Sequence, residues 1–91
     1  MTIIMNYIDK KFNNIEDAVK WMKKNPVVNR LYDEYDNFFY WSPSNNTVAY
    51  DYYYDIEDPT SMYEDIYWEN ELEYVMDLKN LTSVEYKEIY S

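Results

Sequence analysis

The chain has 91 residues, 18 Asp and Glu against 8 Lys and Arg, and a net charge of −10, with no Cys, His or Gly. That size holds one domain and one core, so residues 1–91 are read as a single acidic domain. The composition excludes a disulfide framework, the usual zinc ligands, a thiol nucleophile and the commonest general base.

Leu, Ile, Val and Phe make up about 22 % of the chain, close to the level at which a highly charged sequence stays unfolded. Thirteen Tyr and three Trp supply the missing apolar area, so a compact fold is expected. Absence of Gly removes phosphate-cradling loops and leaves the turns to Asn, Asp, Ser and Pro.

The first residues include Ile3, Ile4 and Met5 without a basic start, which is unlike a signal peptide. Residues 2–8 (TIIMNYI) read as a short strand. Asn14 then has the character of a helix N-cap. Glu16 and Asp17 occupy the first turn, Lys20, Lys23 and Lys24 the last turns, and Pro26 ends the run. Ile15, Ala18, Val19 and Met22 give that helix a face to bury.

Residues 27–35 have no clear pattern. Residues 37–41 read as a strand, and Ser42, Pro43, Ser44, Asn45 and Asn46 form a turn cluster. A second strand follows from Thr47, giving a hairpin. There Val48, Tyr50, Tyr52, Tyr54 and Ile56 share one parity, and Ala49, Asp51, Tyr53, Asp55 and Glu57 the other.

Asp58, Pro59, Thr60 and Ser61 make another turn. Beyond it, Ile66, Trp68, Leu72, Tyr74, Met76 and Leu78 alternate with Asp65, Tyr67, Glu69, Glu71, Glu73 and Asp77. A strand is favoured for this segment. A helix competes, because Trp68, Leu72, Val75 and Met76 also fit a 3.6-residue period. Thr82 to Glu85 has capping-box spacing, with Leu81 and Tyr86 placed for a hydrophobic staple, so a helix over residues 83–90 is expected. The fold class is therefore α+β. It is an antiparallel sheet of three to four strands with an N-terminal helix and a short C-terminal helix on one face.

The charge is distributed unevenly. Residues 32–78 contain thirteen acids, ten tyrosines, Trp41 and Trp68, and neither Lys nor Arg. A small soluble domain carries a net charge of about 2 to 8 in magnitude, so solubility alone does not require this excess. Such a surface repels nucleic acid and anionic membranes and attracts a basic partner. The expected surroundings are the cytoplasm, with no membrane and no direct nucleic-acid binding. A monomer or a dimer is compatible with the sequence.

No enzyme is expected, because the Ser residues have no His to activate them and paired carboxylates need a deep cleft. No cofactor is expected. Asp51, Asp55 and Glu57 superficially resemble a calcium loop but lack its Gly and spacing, so no dedicated metal site is expected either. Instead Asp51, Tyr53, Asp55, Glu57, Asp65, Tyr67, Glu69, Glu71 and Glu73 form the candidate partner-binding face. On a strand, Glu69, Glu71 and Glu73 stand about 6.6 Å apart, a pitch comparable to successive phosphates. The outward tyrosines are placed to stack on arginine planes. The plainer reading is a solvated acidic surface that guards a sheet edge.

In composition and layout, residues 32–78 resemble the small acidic inhibitors that phages and plasmids use against host defence: anti-CRISPR proteins, anti-restriction proteins and uracil-DNA glycosylase inhibitors. Many of these are DNA mimics. The resemblance implies a basic nucleic-acid-binding partner, a host nuclease such as a Cas effector, blocked at its DNA-binding surface. The chain is similar in the same way to barstar-like immunity proteins of nuclease toxins. A phage interaction module that binds through Tyr and Trp is a third reading.

Overall fold

A computed structural model describes residues 6, 7 and 10–85. Its elements are β1 (Asn6–Tyr7), α1 (Ile15–Lys24), β2 (Asn29–Tyr32), β3 (Phe38–Ser42), β4 (Thr47–Tyr53), β5 (Met62–Tyr67), α2 (Leu72–Val75) and β6 (Thr82–Glu85). The strands form one antiparallel sheet in the order β1-β6-β2-β3-β4-β5. The α+β class, the antiparallel sheet and the N-terminal helix follow the expectation. Six strands among the described residues exceed the three to four expected, because β2 and β6 were not anticipated.

α1 forms where the charges place it. Asn14 Oδ1 accepts from the Asp17 amide at 2.9 Å, and the acidic first turn and basic last turn oppose the helix dipole. Ala18, Val19, Trp21 and Met22 are buried against Leu31, Phe39, Trp41 and Val48 on one face of the sheet. Asn29 Nδ2 donates to the Trp21 carbonyl at 2.7 Å, tying β2 to the last turns of the helix. Leu72, Met76 and Leu81 complete this core.

The β3–β4 hairpin closes at residues 43–46 as expected, with Asn46 at a positive φ of 54°. Asp36 serves the same purpose in the β2–β3 loop with φ 63°. Asn and Asp are the non-glycine residues that tolerate this region best. Val27, also at positive φ (69°), follows α1 and has a branched Cβ that disfavours it.

Three elements differ from expectation. The strand that starts at Thr47, with alternation expected through Glu57, ends at Tyr53, where the chain turns into the loop capped by Asp58. The strand expected through residue 78 ends at Tyr67. The chain then makes a 3-10 turn (Glu69–Glu71), α2 and a second 3-10 turn (Leu78–Asn80). The helical period prevails because Leu72 and Met76, one helical turn apart, both reach the core and are 1 % and 6 % exposed. Thr82–Glu85, expected to start a helix, instead forms β6 between β1 and β2. The Ser83 hydroxyl donates to the Lys10 carbonyl and accepts from the Lys10 amide, both at 2.8 Å. The remainder of that expected helix, the staple to Tyr86 and most of the expected strand over residues 2–8 lie outside the described residues. The short helix of the C-terminal half is α2. No helix among the described residues is long and apolar enough to cross a membrane.

Candidate functional site: an acidic, tyrosine-bearing end of the sheet

Strand register gathers two loops at one end of the sheet. Phe38 pairs with both Tyr32 and Asp51, and Tyr53 pairs with Met62. The β2–β3 loop (residues 33–37) and the β4–β5 loop (residues 54–61) are therefore neighbours. The Tyr53 amide donates to Asn37 Oδ1 at 3.0 Å, and the Tyr50 hydroxyl donates to Asp33 Oδ2 at 2.7 Å. The first loop brings Asp33, Glu34 and Asp36, and the second brings Asp55, Glu57 and Asp58. Asp51 and Glu64, cross-strand partners, add two more acids beside them. Tyr35, Tyr54, Ile56 and Tyr63 share this end and are 58 %, 82 %, 64 % and 55 % exposed.

Several of these carboxylates also build the loops. Asp33 accepts from the amides of Tyr35 and Asn37 and from Asn37 Nδ2, in addition to Tyr50. Asp55 accepts from the Glu57 amide at 3.1 Å. Asp58 caps the 3-10 turn Pro59–Ser61 by accepting from the Thr60 hydroxyl and amide, and the hydroxyl first and then the amide lower its pKa. Without Gly, side-chain acceptors hold turns of this kind together. Glu34, Asp36 and Glu57 are exposed at the loop tips.

On the sheet face opposite α1, the Tyr40 hydroxyl shares its one proton between Asp51 Oδ1, at 3.3 Å, and Glu64 Oε2. Burial pushes the Asp51 carboxyl up. Its bond from Tyr40 and the charge of Arg30 act against this, while Glu64 adds to it. Burial, the bond that Tyr40 donates to the Glu64 carboxylate and the charge of Asp51 likewise drive the Tyr40 hydroxyl well above the ordinary tyrosine range. Tyr50 moves the same way, through burial and then Asp33. Arg30 is pinned on this face, its guanidinium 4.5 Å from the Phe38 ring centroid and its Nε donating to the Val27 carbonyl at 2.7 Å.

The candidate residues thus separate into groups. Asp51 and Tyr53 share the sheet face opposite α1, and Asp55 and Glu57 lie in the adjoining loop. Asp65 and Tyr67 point to the α1 side, because Tyr50 pairs with Asp65 and Val48 with Tyr67. The expected outward parity of β5 is therefore inverted. The Tyr67 ring fills the space beside Phe39 and Tyr50, at centroid distances of 6.3 and 6.4 Å, while Trp68 is left 63 % exposed.

Glu69, Glu71 and Glu73 do not form a row, since none lies on a strand. Glu69 and Glu73 line a cleft shared with Lys20 and Lys23 of α1. Glu34, Tyr40 and Glu64 belong to the acidic end and were not among the candidates. The pairing of Glu64 with Asp51 depends on loop length and register, which no local pattern encodes. Among the described residues, no group of three or more acids converges to hold a metal ion.

No family model matches the sequence, and neither the curated proteins nor the solved structures give a match.

Proposed function

We propose that this protein is a DNA-mimic-type inhibitor that occupies the basic nucleic-acid-binding surface of a host defence nuclease in the cytoplasm. The contact surface is the acidic end of the sheet. The observation that carries this reading is the coincidence there of loop-tip carboxylates with exposed tyrosines. Carboxylates steer a cationic partner into place, and aromatic anchors supply the short-range affinity that charge alone does not. Each exposed ion pair contributes only about 0.2–1 kcal/mol, so several pairs must act together.

A Cas effector, whose duplex-binding channel has this chemistry, is the first target to test. Labelled duplex DNA bound to the nuclease is titrated with the protein. The reading predicts displacement of the duplex, and an affinity for the nuclease that falls at least about tenfold between about 50 and about 200 mM salt. Simultaneous binding of duplex and protein excludes occlusion. An affinity that does not change with salt favours the tyrosine-based interaction module instead. A nuclease toxin offers the same basic chemistry, and the same titration with one distinguishes an immunity role.

A further inference from the structure

A cavity of about 640 Å³ opens on the α1 side of the sheet, between the β2–β3 loop and the segment joining α2 to β6. Its walls include the aromatic rings of Tyr35, Phe39, Tyr50 and Tyr67, and its rim includes Glu34 and Asp77. We propose that this cavity is a receptor for an arginine side chain of the basic partner. This rests on the reading of the acidic end as the partner-binding surface and names the group that enters it.

The wall geometry suits a flat cation. Phe39 and Tyr50 stack at 4.3 Å with their planes 22° apart, and Tyr67 meets Tyr50 at 47°. The rings therefore form a corner. Phe39 is buried and Tyr50 stacks on both Phe39 and Tyr52, so these rings form the floor, and the half-buried Tyr67 and exposed Tyr35 offer the ring surface whose negative face a guanidinium meets. A lysine ammonium, a compact and strongly hydrated point charge, gains less from such a corner.

The rim supplies the counter-charge. Among the described residues that line the cavity there is no Lys or Arg. Asp33 also lines it, but its oxygens are already committed to the β2–β3 loop and to the Tyr50 hydroxyl. It holds the Tyr50 ring in place and adds field. Glu34 is exposed and lines the cavity, which makes its carboxylate accessible to an entering guanidinium. Asp77 accepts from Lys79 N and Asn80 Nδ2 and contributes charge from the opposite side. Burial first, and then the charge of nearby Asp65, pushes the Tyr67 hydroxyl up. The size is within the usual range for ligand sites, about 300–1,000 Å³, and admits the side chain with part of its backbone.

The test is an amide-resolved NMR titration of the whole protein with N-acetyl-arginine amide, N-acetyl-lysine amide and the neutral isostere N-acetyl-citrulline amide. The proposal predicts saturable shifts centred on Tyr35, Phe39, Tyr50 and Tyr67, with the arginine probe binding at least about fivefold more tightly than citrulline and also more tightly than lysine. Glu34→Gln, which leaves the loop hydrogen bonds intact, weakens the arginine probe by about two- to threefold with the rest of the spectrum unchanged. Equal binding of citrulline overturns the site. Arginine-induced shifts confined to residues 54–58 overturn it too, while leaving the acidic end as a cation-binding surface. No response to either cation anywhere on that end overturns both readings.

Discussion

The thirteen acids of residues 32–78 form one block in the sequence and, Asp65 on the α1 side of β5 apart, two regions in space. Those at the end of the sheet sit on two adjoining loops, with Asp51 and Glu64 on the strands beside them, among exposed tyrosines. Those at residues 69–77 follow β5 into helical turns, where Glu69 and Glu73 face Lys20 and Lys23 across a shared cleft. The loop-tip acids project their field outward, whereas Arg30 partly offsets Asp51 and the lysines of α1 partly offset Glu69 and Glu73. A count of charges therefore overstates the surface available to a cationic partner, and the topology decides which carboxylates remain unopposed.

The largest effect separating the regions concerns stability. Beneath the balanced acids, Leu72 is 1 % exposed in the core. Leu72→Ala should cost about 2–5 kcal/mol through lost burial and the cavity left behind. At the acidic end Ile56, 64 % exposed, should tolerate the same truncation within about 0.5 kcal/mol. Urea unfolding of the two variants checks the contrast. Similar losses would mean that the β4–β5 loop is covered by something beyond its own chain.

Next in size is a division within the acidic end. Asp33→Ala removes the acceptor of four hydrogen bonds and should cost about 1–3 kcal/mol. Glu34→Ala, one residue on, should change stability by no more than about 0.5 kcal/mol while weakening partner binding. Equal destabilisation by both would remove the distinction between acids that build loops and acids that face outward.

A smaller effect is read in pH. The folded state holds the Asp51 proton more tightly than the unfolded chain does, whose Asp pKa is about 3.9. The stability this group contributes is full below that value and is lost as pH rises through the folded pKa. Asp51→Asn should remove this decline and raise stability at neutral pH relative to the parent. A parallel slope in the parent and in Asp51→Asn, measured by urea midpoints from acid to neutral pH, would contradict the assignment. At the alkaline end, Tyr40 and Tyr50 favour their protonated forms in the fold, so stability should fall further as pH rises beyond about 10.

How far the sequence discloses this arrangement depends on how local each signal is. α1 is legible because its cap, its dipole-complementing charges and its apolar face all lie within twelve residues. The β3–β4 hairpin is legible because Pro43, Asn45 and Asn46 mark its turn. The α+β class follows from these two. β6 is not legible, since a capping-box pattern at Thr82 competes with a pairing that joins Ser83 to Lys10 across most of the chain. The parity of β5 misleads for a related reason. Tyr67 and Trp68 both have large rings, and only the register with Val48 selects Tyr67 for the inner side. At the candidate site, alternation holds for Asp51 and Tyr53 alone, because β4 ends at Tyr53 and Asp55 and Glu57 lie in the loop beyond it, while Glu64 needs the register and Glu34 needs the two loops to meet.

The most direct measurement compares two charge reversals in binding to a duplex-binding nuclease at low salt. Glu34→Lys with Glu57→Lys, at the tips of the unopposed loops, should weaken binding by about tenfold or more. Glu69→Lys with Glu73→Lys, opposite the lysines of α1, should stay within about threefold of the parent. Equal losses from the two pairs, or a larger loss from the second, would contradict the assignment of the partner surface to the end of the sheet.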